Sequence, residues 1–290
     1  MSISDEYEHE PEGFVRAQPV PSAAARIVPT GGIGIAKDRL RVWSRYGQRF
    51  RGAMTAVEQA WAERELTERQ RSRGRMRNDR VGTLADLAAV QLYLTGEWAW
   101  LDEALPEGEA GAHLPLSRCV ASGLRRLPPY RGPAVVRGAA VGAVTDWYRD
   151  HRFVTESGFW TASSSPAALR EGGPGFLVWS LTARRTAVVA PYGPDRLVFL
   201  PGTRFKVLRV TELPRPVVLM RELFPEEADS PDEGGTSWLD RSTVEELDRV
   251  VSALRAAAGP SVPPPVGIAG PRGRLPGLIA PAETAARAGR

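Results

Sequence analysis

The sequence predicts an α+β protein in which helices come first and a split, mixed and antiparallel sheet follows. Three observations carry that prediction. Leu40, Trp43, Phe50, Met54, Val57 and Trp61 recur at three-, four- and seven-residue intervals, the period of an amphipathic helix, and further helices are read up to about Leu127. Beyond Pro128-Pro129 the texture changes to short runs rich in Val, Phe, Trp and Leu, punctuated by Gly and Pro turns, as strands are. Helices followed by strands, rather than alternating with them, read as α+β.

The elements follow in order. Residues 1–36 open acidic, then become rich in Pro, Ala and Gly, and are expected to be disordered. Within them Thr30-Gly31-Gly32-Ile33-Gly34-Ile35-Ala36-Lys37 fails the spacing of a phosphate loop, and no strand precedes it. Residues 37–80 carry 13 Lys and Arg against 6 Asp and Glu, a surplus of 7. There Leu40, Trp43, Phe50, Met54, Val57 and Trp61 trace one face of a helix. The run from Arg69 to Arg77 could hold nucleic acid or an acidic partner electrostatically. No aromatic interleaves it, so stacking on bases has no support.

Residues 81–257 read as one compact domain. Helices are expected over 84–93, 97–105 and 114–127, and strands over 134–137, 158–161, 175–182, 186–190, 197–201, 205–211 and 217–221. A last helix over 242–257 places Val244, Leu247, Val250, Val251 and Leu254 on one face, with Glu245 near its start to suit the helix dipole. Residues 258–290 are Pro-, Gly- and Ala-rich without periodicity and are expected to be a disordered tail.

Several classes of chemistry drop out. A single cysteine, Cys119, excludes an internal disulfide framework and a thiolate metal site. It lies among Leu116, Val120 and Leu124, where a small buried hydrophobe is expected. His9, His113 and His151 are scattered and form no ligand pair, so no metal is expected. The N-terminus has no apolar stretch of a signal peptide, and no run of about 18 apolar residues spans a membrane. A cytoplasmic protein without membrane attachment is the expectation.

Five segments then fall in a meaningful order. They are Leu87 to Gly96, a helix ending in Tyr93-Leu94-Thr95-Gly96; Tyr130-Arg131-Gly132-Pro133-Ala134-Val135-Val136-Arg137-Gly138; Gly158-Phe159-Trp160-Thr161-Ala162-Ser163; Phe176-Leu177-Val178-Trp179-Ser180-Leu181-Thr182-Ala183-Arg184-Arg185; and Arg196-Leu197-Val198-Phe199-Leu200-Pro201-Gly202-Thr203-Arg204-Phe205. Together they resemble the arginine–serine–glutamate class of ADP-ribosyltransferases over about 170 residues. The resemblance implies NAD as substrate, no metal, and a protein acceptor. It also implies a cofactor arginine at Arg137 beside Gly138, and hydroxyls at Thr161 and Ser163. An arginine fork suits the NAD phosphates because it binds bidentately and never loses its charge. Thr161 and Ser163, two apart on a strand, share a face.

The family's glutamate position falls on Arg196, and the upstream acceptor-orienting position on Pro194. A guanidinium cannot stabilise the oxocarbenium charge that develops as nicotinamide leaves. Asp195 is one residue away and points to the other face of a regular strand, unless a β-bulge re-aims it. The resemblance therefore implies one of two things. The chain is an NAD-dependent mono-ADP-ribosyltransferase or NAD glycohydrolase working through Asp195 and Thr161, or it is a scaffold with impaired catalysis. A non-catalytic adaptor, using that scaffold or the basic 37–80 helix, is the remaining reading. Phe159, Trp160 and Trp179 are expected in the core.

Overall fold

A computed structural model describes residues 15–16, 33–68, 80–95, 111–137, 145–150, 153–156, 158–169, 175–190, 196–213, 215–224, 227, 238–257 and 275–279. The expected helix over 97–105 and the basic run 69–77 lie outside them. Helices α1 (Ile33–Glu68), α2 (Arg80–Leu94) and α3 (Leu114–Arg126) precede the main sheet. The segment divided off at 37–80 starts its helix earlier, at Ile33. It also shares one apolar cluster with α2 and α3, through Val42, Phe50, Ala53 and Val57.

The stripe drawn from hydrophobicity is partly wrong. Leu40 and Trp43 are exposed, at 70% and 42%. The inward face carries charge instead. Asp38 is buried and meets Arg118 at 3.5 Å, while Arg39 meets Asp86 of α2 at 2.7 Å. A pattern that counts apolar residues cannot see a face completed by ion pairs. Cys119 is buried on α3, and burial pushes its thiol far above the usual range, so packing is its role.

α3 begins after His113, whose Nδ1 lies 2.6 Å from the Tyr46 hydroxyl and whose Nε2 lies 3.3 Å from Arg45. Arginine can only donate, so Nε2 accepts and Nδ1 carries the proton toward Tyr46. Burial, then the Arg45 charge, hold the ring's pKa below the ordinary 6.5. The unfolded chain takes up this proton at higher pH than the folded one, so acid favours unfolding. The stability due to the neutral ring is present above about pH 6.5 and is lost as pH falls through the folded value. The melting temperature should drop between pH 7 and 5, and less so in His113→Gln. Equal slopes in the two proteins would sink this assignment.

Eight strands form the main sheet: β2 (Gly132–Arg137), β3 (Phe153–Thr155), β4 (Trp160–Ser163), β5 (Gly175–Ser180), β6 (Arg184–Arg185), β7 (Arg196–Phe199), β8 (Arg204–Leu213) and β9 (Arg215–Glu222). Their order is β3-β8-β9-β5-β2-β4-β7-β6. Every pairing is antiparallel except β5 with β9. The α+β class and the mixed sheet are as expected. The strand expected over 186–190 is instead a turn. Both the amide and the hydroxyl of Thr186 donate to the Arg196 carbonyl, and Val189 closes back on Thr186.

One core fills a single side of the sheet. Trp160 packs against Phe176, Phe199 and Phe205 with ring centroids 5.3–5.6 Å apart. A short helix, α4 (Thr145–Asp150), adds Trp147 and Tyr148 to this core. A second core holds α5 (Trp238–Ala256) through Leu247 and Val251, against Leu177 and Leu219. Buried Asp240 of α5 fastens it further, to Lys206 at 2.6 Å and Arg221 at 2.5 Å.

Two stretches inside the segments expected to be disordered pair with one another, β1 (Val15–Arg16) with β10 (Leu278–Ile279). Leu275 and Leu278 are buried in the Trp160 core, and the Tyr148 hydroxyl donates to the Pro276 carbonyl. Two leucines in a Pro- and Gly-rich tail make no periodic signal, yet burying each stabilises by roughly 1.5–3 kcal/mol.

Candidate functional site

The site rests on the pleat of β4 and β7. Trp160, Ala162, Leu197 and Phe199 all point into the inner core. Thr161, Ser163, Arg196 and Val198 therefore occupy the opposite face. Register aligns them across strands: Val198 opposes Thr161, Arg196 opposes Ser163, and Ser163 opposes Val135 of β2. Val198 packs with the helical layer, whereas Val135 packs with Ala168, Leu169 and the α5 side. Ser163 thus stands at the seam between two covering layers. Arg137 ends β2 two residues beyond Val135, opposite Gly175. Gly138, Pro194 and Asp195 lie outside the described residues.

Arg196 is built into the scaffold. Its guanidinium donates to the carbonyl of Leu94 at 2.8 Å. Leu94 is the last residue of α2, where carbonyls lack helical partners and the dipole is negative. The Thr95 hydroxyl donates to the Leu92 carbonyl at 2.6 Å, so two side chains finish this helix. The expected Tyr93-Leu94-Thr95 turn is therefore a helix cap met by Arg196. Nothing in the sequence joins Leu94 to Arg196, which are 102 residues apart.

The two hydroxyls differ. Ser163 Oγ accepts from the Ser165 amide at 3.1 Å, a local turn bond. Thr161 is half-buried. The Pro201-Gly202-Thr203 motif has a backbone reason. Gly202 adopts φ 85°, which favours glycine, and its amide donates to the Glu156 carbonyl at 2.7 Å. The Thr203 hydroxyl closes the turn on Leu200 at 2.6 Å. The motif is a turn that launches β8. Ser180 and Thr182 are likewise structural, gathered with the Leu181 and Thr182 amides onto the carboxylate of Glu222.

Among the described residues, each buried carboxylate is engaged away from this face. Asp38 faces Arg118, and Asp86 faces Arg39 and Arg126. Glu156 accepts from the Gly158 amide at 2.9 Å. It also neighbours Tyr148 of the inner core, whose pKa burial and then the Glu156 charge raise. Glu222 closes its turn, and Asp240 binds Lys206 and Arg221. Exposed Asp146 pairs with Arg149. Phe159 and Trp160 are fully buried, and Trp179 packs against the α5 core, so the three aromatics are core residues as expected.

No family model matches the chain, and no curated protein does. Solved structures do. The type III effector XopAI from Xanthomonas axonopodis pv. citri superposes with a TM-score of 0.51 at 20% identity, covering 73% of this chain and 95% of that one. Exoenzyme S from Pseudomonas aeruginosa, solved with human 14-3-3 protein beta and bound to Carba-NAD, gives 0.46 at 16% identity, covering 72% and 96%. Plx2a, an ADP-ribosyltransferase toxin from Paenibacillus larvae, gives 0.40 at 12%, covering 58% and 96%. The chain shares its fold with XopAI. Arg137 ends β2, Thr161 and Ser163 lie on β4, and β7 begins with Arg196. Among the described residues no cluster of His, Cys, Asp and Glu could hold a metal ion, and no helix is long and apolar enough to cross a membrane.

Proposed function

We propose that this chain is an ADP-ribosyltransferase-like domain that takes NAD at the β4 face carrying Thr161 and Ser163, with catalysis impaired. Arg137 and Gly138 would receive the phosphates, as the resemblance implies, and the hydroxyl pair would face the nicotinamide ribose. The observation that carries the impairment is the Arg196 bond to Leu94. A glutamate at this position would stabilise positive charge on the departing ribose. The guanidinium brings charge of the wrong sign, and its helix-capping bond gives it a structural reason to stay.

Asp195 is the remaining candidate carboxylate. It is one methylene shorter than glutamate and begins from the wrong strand parity, and misplacement of about 1 Å can cost about a hundredfold in rate. A live enzyme would need the chain to re-aim Asp195 at the ribose. Its product would be an ADP-ribosylated protein or free ADP-ribose.

Two assays on the purified chain separate these cases. Calorimetric titration should detect NAD binding, weakened at least tenfold in Arg137→Ala, while nicotinamide release stays at the level of buffer. Release well above buffer that vanishes in Asp195→Asn would replace the impaired reading with an active one. Absence of NAD binding at millimolar concentration would remove the nucleotide from the proposal altogether.

A further inference from the structure

Leu275-Pro276-Gly277-Leu278 is a docked turn, separate from the main sheet. Pro276 and Gly277 hold its two corners, with Gly277 at φ 79°, the pattern of a type II turn. The Leu278 amide closes it on the Leu275 carbonyl at 3.0 Å. β10, which follows, pairs with β1 in a two-stranded sheet of its own, and such a pair is marginal by itself.

The groove between α4 and β3 holds this turn by shape. Leu275 and Leu278 are 1% and 4% exposed. The Tyr148 hydroxyl donates to the Pro276 carbonyl at 2.8 Å, and the Gly277 amide to the Thr155 carbonyl at 3.2 Å. A Cβ on Gly277 would sit 3.1 Å from Trp147 and 3.2 Å from Val154, so a side chain there would push the turn out. The attachment is small beside the rest of the fold. Among the described residues, the helical cluster and the α5 core hold no part of the turn, and it enters the Trp160 core through its two leucines. A unit with few buried apolar contacts opens at lower cost than the body unfolds.

The groove is also wired to β7. Thr155 leads into Glu156, whose amide donates to the Thr203 carbonyl at 2.9 Å and whose carbonyl accepts from the Gly202 amide at 2.7 Å. Leu200 to Thr203 is the turn between β7 and β8, and β7 carries Arg196 opposite Ser163. A turn resting on Thr155 therefore buttresses the β7–β8 connection through the next residue.

We propose that residues 275–279 form a releasable strap, which leaves and re-enters the α4–β3 groove as a unit while the main sheet stays folded. Its release loosens the β7–β8 turn, and so sets how firmly the β4 and β7 face is held. The strap works in this way whether or not NAD binds at that face.

Hydrogen exchange of the full chain, read amide by amide by NMR, tests this. The Gly277 and Leu278 amides should exchange at least about a hundredfold faster than those of Leu177 and Leu219, which lie on the central β5–β9 pair. Gly277→Val should release the strap. Exchange at Glu156 and Gly202 should then quicken at least about tenfold, while Leu177 and Leu219 keep their wild-type rates. A peptide with the sequence of residues 274–280, added at about 5 mM, should restore protection at Glu156 and Gly202. The same peptide with alanine for both leucines should not. Strap amides that exchange as slowly as Leu177, or a Gly277→Val chain that unfolds outright, would make the strap an integral part of the core and overturn the proposal. Unchanged exchange at Glu156 and Gly202 in the variant, or a leucine peptide that does no better than the alanine one, overturns it equally.

Discussion

Asp86→Ala should cost the protein about 3–5 kcal/mol, the range for removing one partner of a buried ion pair. Asp86 is fully buried in α2. Its carboxylate takes both arms of Arg39, at 2.8 and 2.7 Å, the Ser122 hydroxyl at 2.7 Å, and Arg126 at 3.2 Å. One side chain thereby ties α1, α2 and α3 together. Its loss leaves Arg39 facing a hole where two charge-assisted hydrogen bonds had been. Against a typical total of about 5–15 kcal/mol, that is about a fifth of the stability at the least and most of it at the low end. Urea unfolding followed by circular dichroism should show a large fall in midpoint. Asp146→Ala is the matched control, because its ion pair with Arg149 is 87% exposed on the acid side and such pairs contribute little. A midpoint for Asp86→Ala close to that control would refute the central role given to Asp86.

Gly123→Ala should also destabilise, although an alanine inside a helix is normally preferred over glycine by about 1 kcal/mol. A Cβ at this position would sit 2.3 Å from the Asp86 carbonyl oxygen and 2.7 Å from its carbon. Ordinary carbon contacts are about 3.5–4.0 Å, and the obstacle is backbone of the facing helix rather than a side chain that could swing away. α2 and α3 must part, at about 1–3 kcal/mol for overpacking. Gly52→Ala provides the contrast. Gly52 lies in α1 with nothing within 4 Å of a built Cβ, so the same substitution there should stabilise. Opposite signs at the two glycines are the expected result. Equal signs would mean that the helices are not in close contact at Gly123. Because the clash falls on Asp86 itself, the Asp86→Ala, Gly123→Ala pair should be non-additive.

These helices matter to the site because α2 delivers the Leu94 carbonyl to Arg196. Loosening α2 should therefore disturb the Thr161 and Ser163 face directly, because α2 covers it through Arg196 and Val198. Stability of the helical layer and geometry of this face are one problem here.

Much of the sheet is legible in the sequence. The runs around Val135, Phe176, Leu197, Phe205 and Val218 are expected as strands and are strands, because β-branched and aromatic residues between Gly and Pro turns are a local signal. The Leu200 to Thr203 turn is local too, since Gly202 alone makes its φ of 85° inexpensive. The helix around Leu87 is legible because nearly all of its side chains are buried, which leaves a dense apolar run. The shared pleat position of Thr161 and Ser163 follows from a spacing of two.

Other features arise only where distant segments meet. The role of Arg196 depends on a carbonyl 102 residues away, and no periodicity encodes that. The inward Asp38 and Asp86 read as polar surface until Arg118 and Arg39 are placed against them. The tail leucines Leu275 and Leu278 gain structure from the Trp160 core, not from their neighbours in the chain. Residue order alone is enough to mark most helices, strands and turns, and to raise the expectation that Arg196 stands where the resembled family has glutamate. What that arginine holds emerges from tertiary contact, because a charged group's role is set by the partner that folding brings to it.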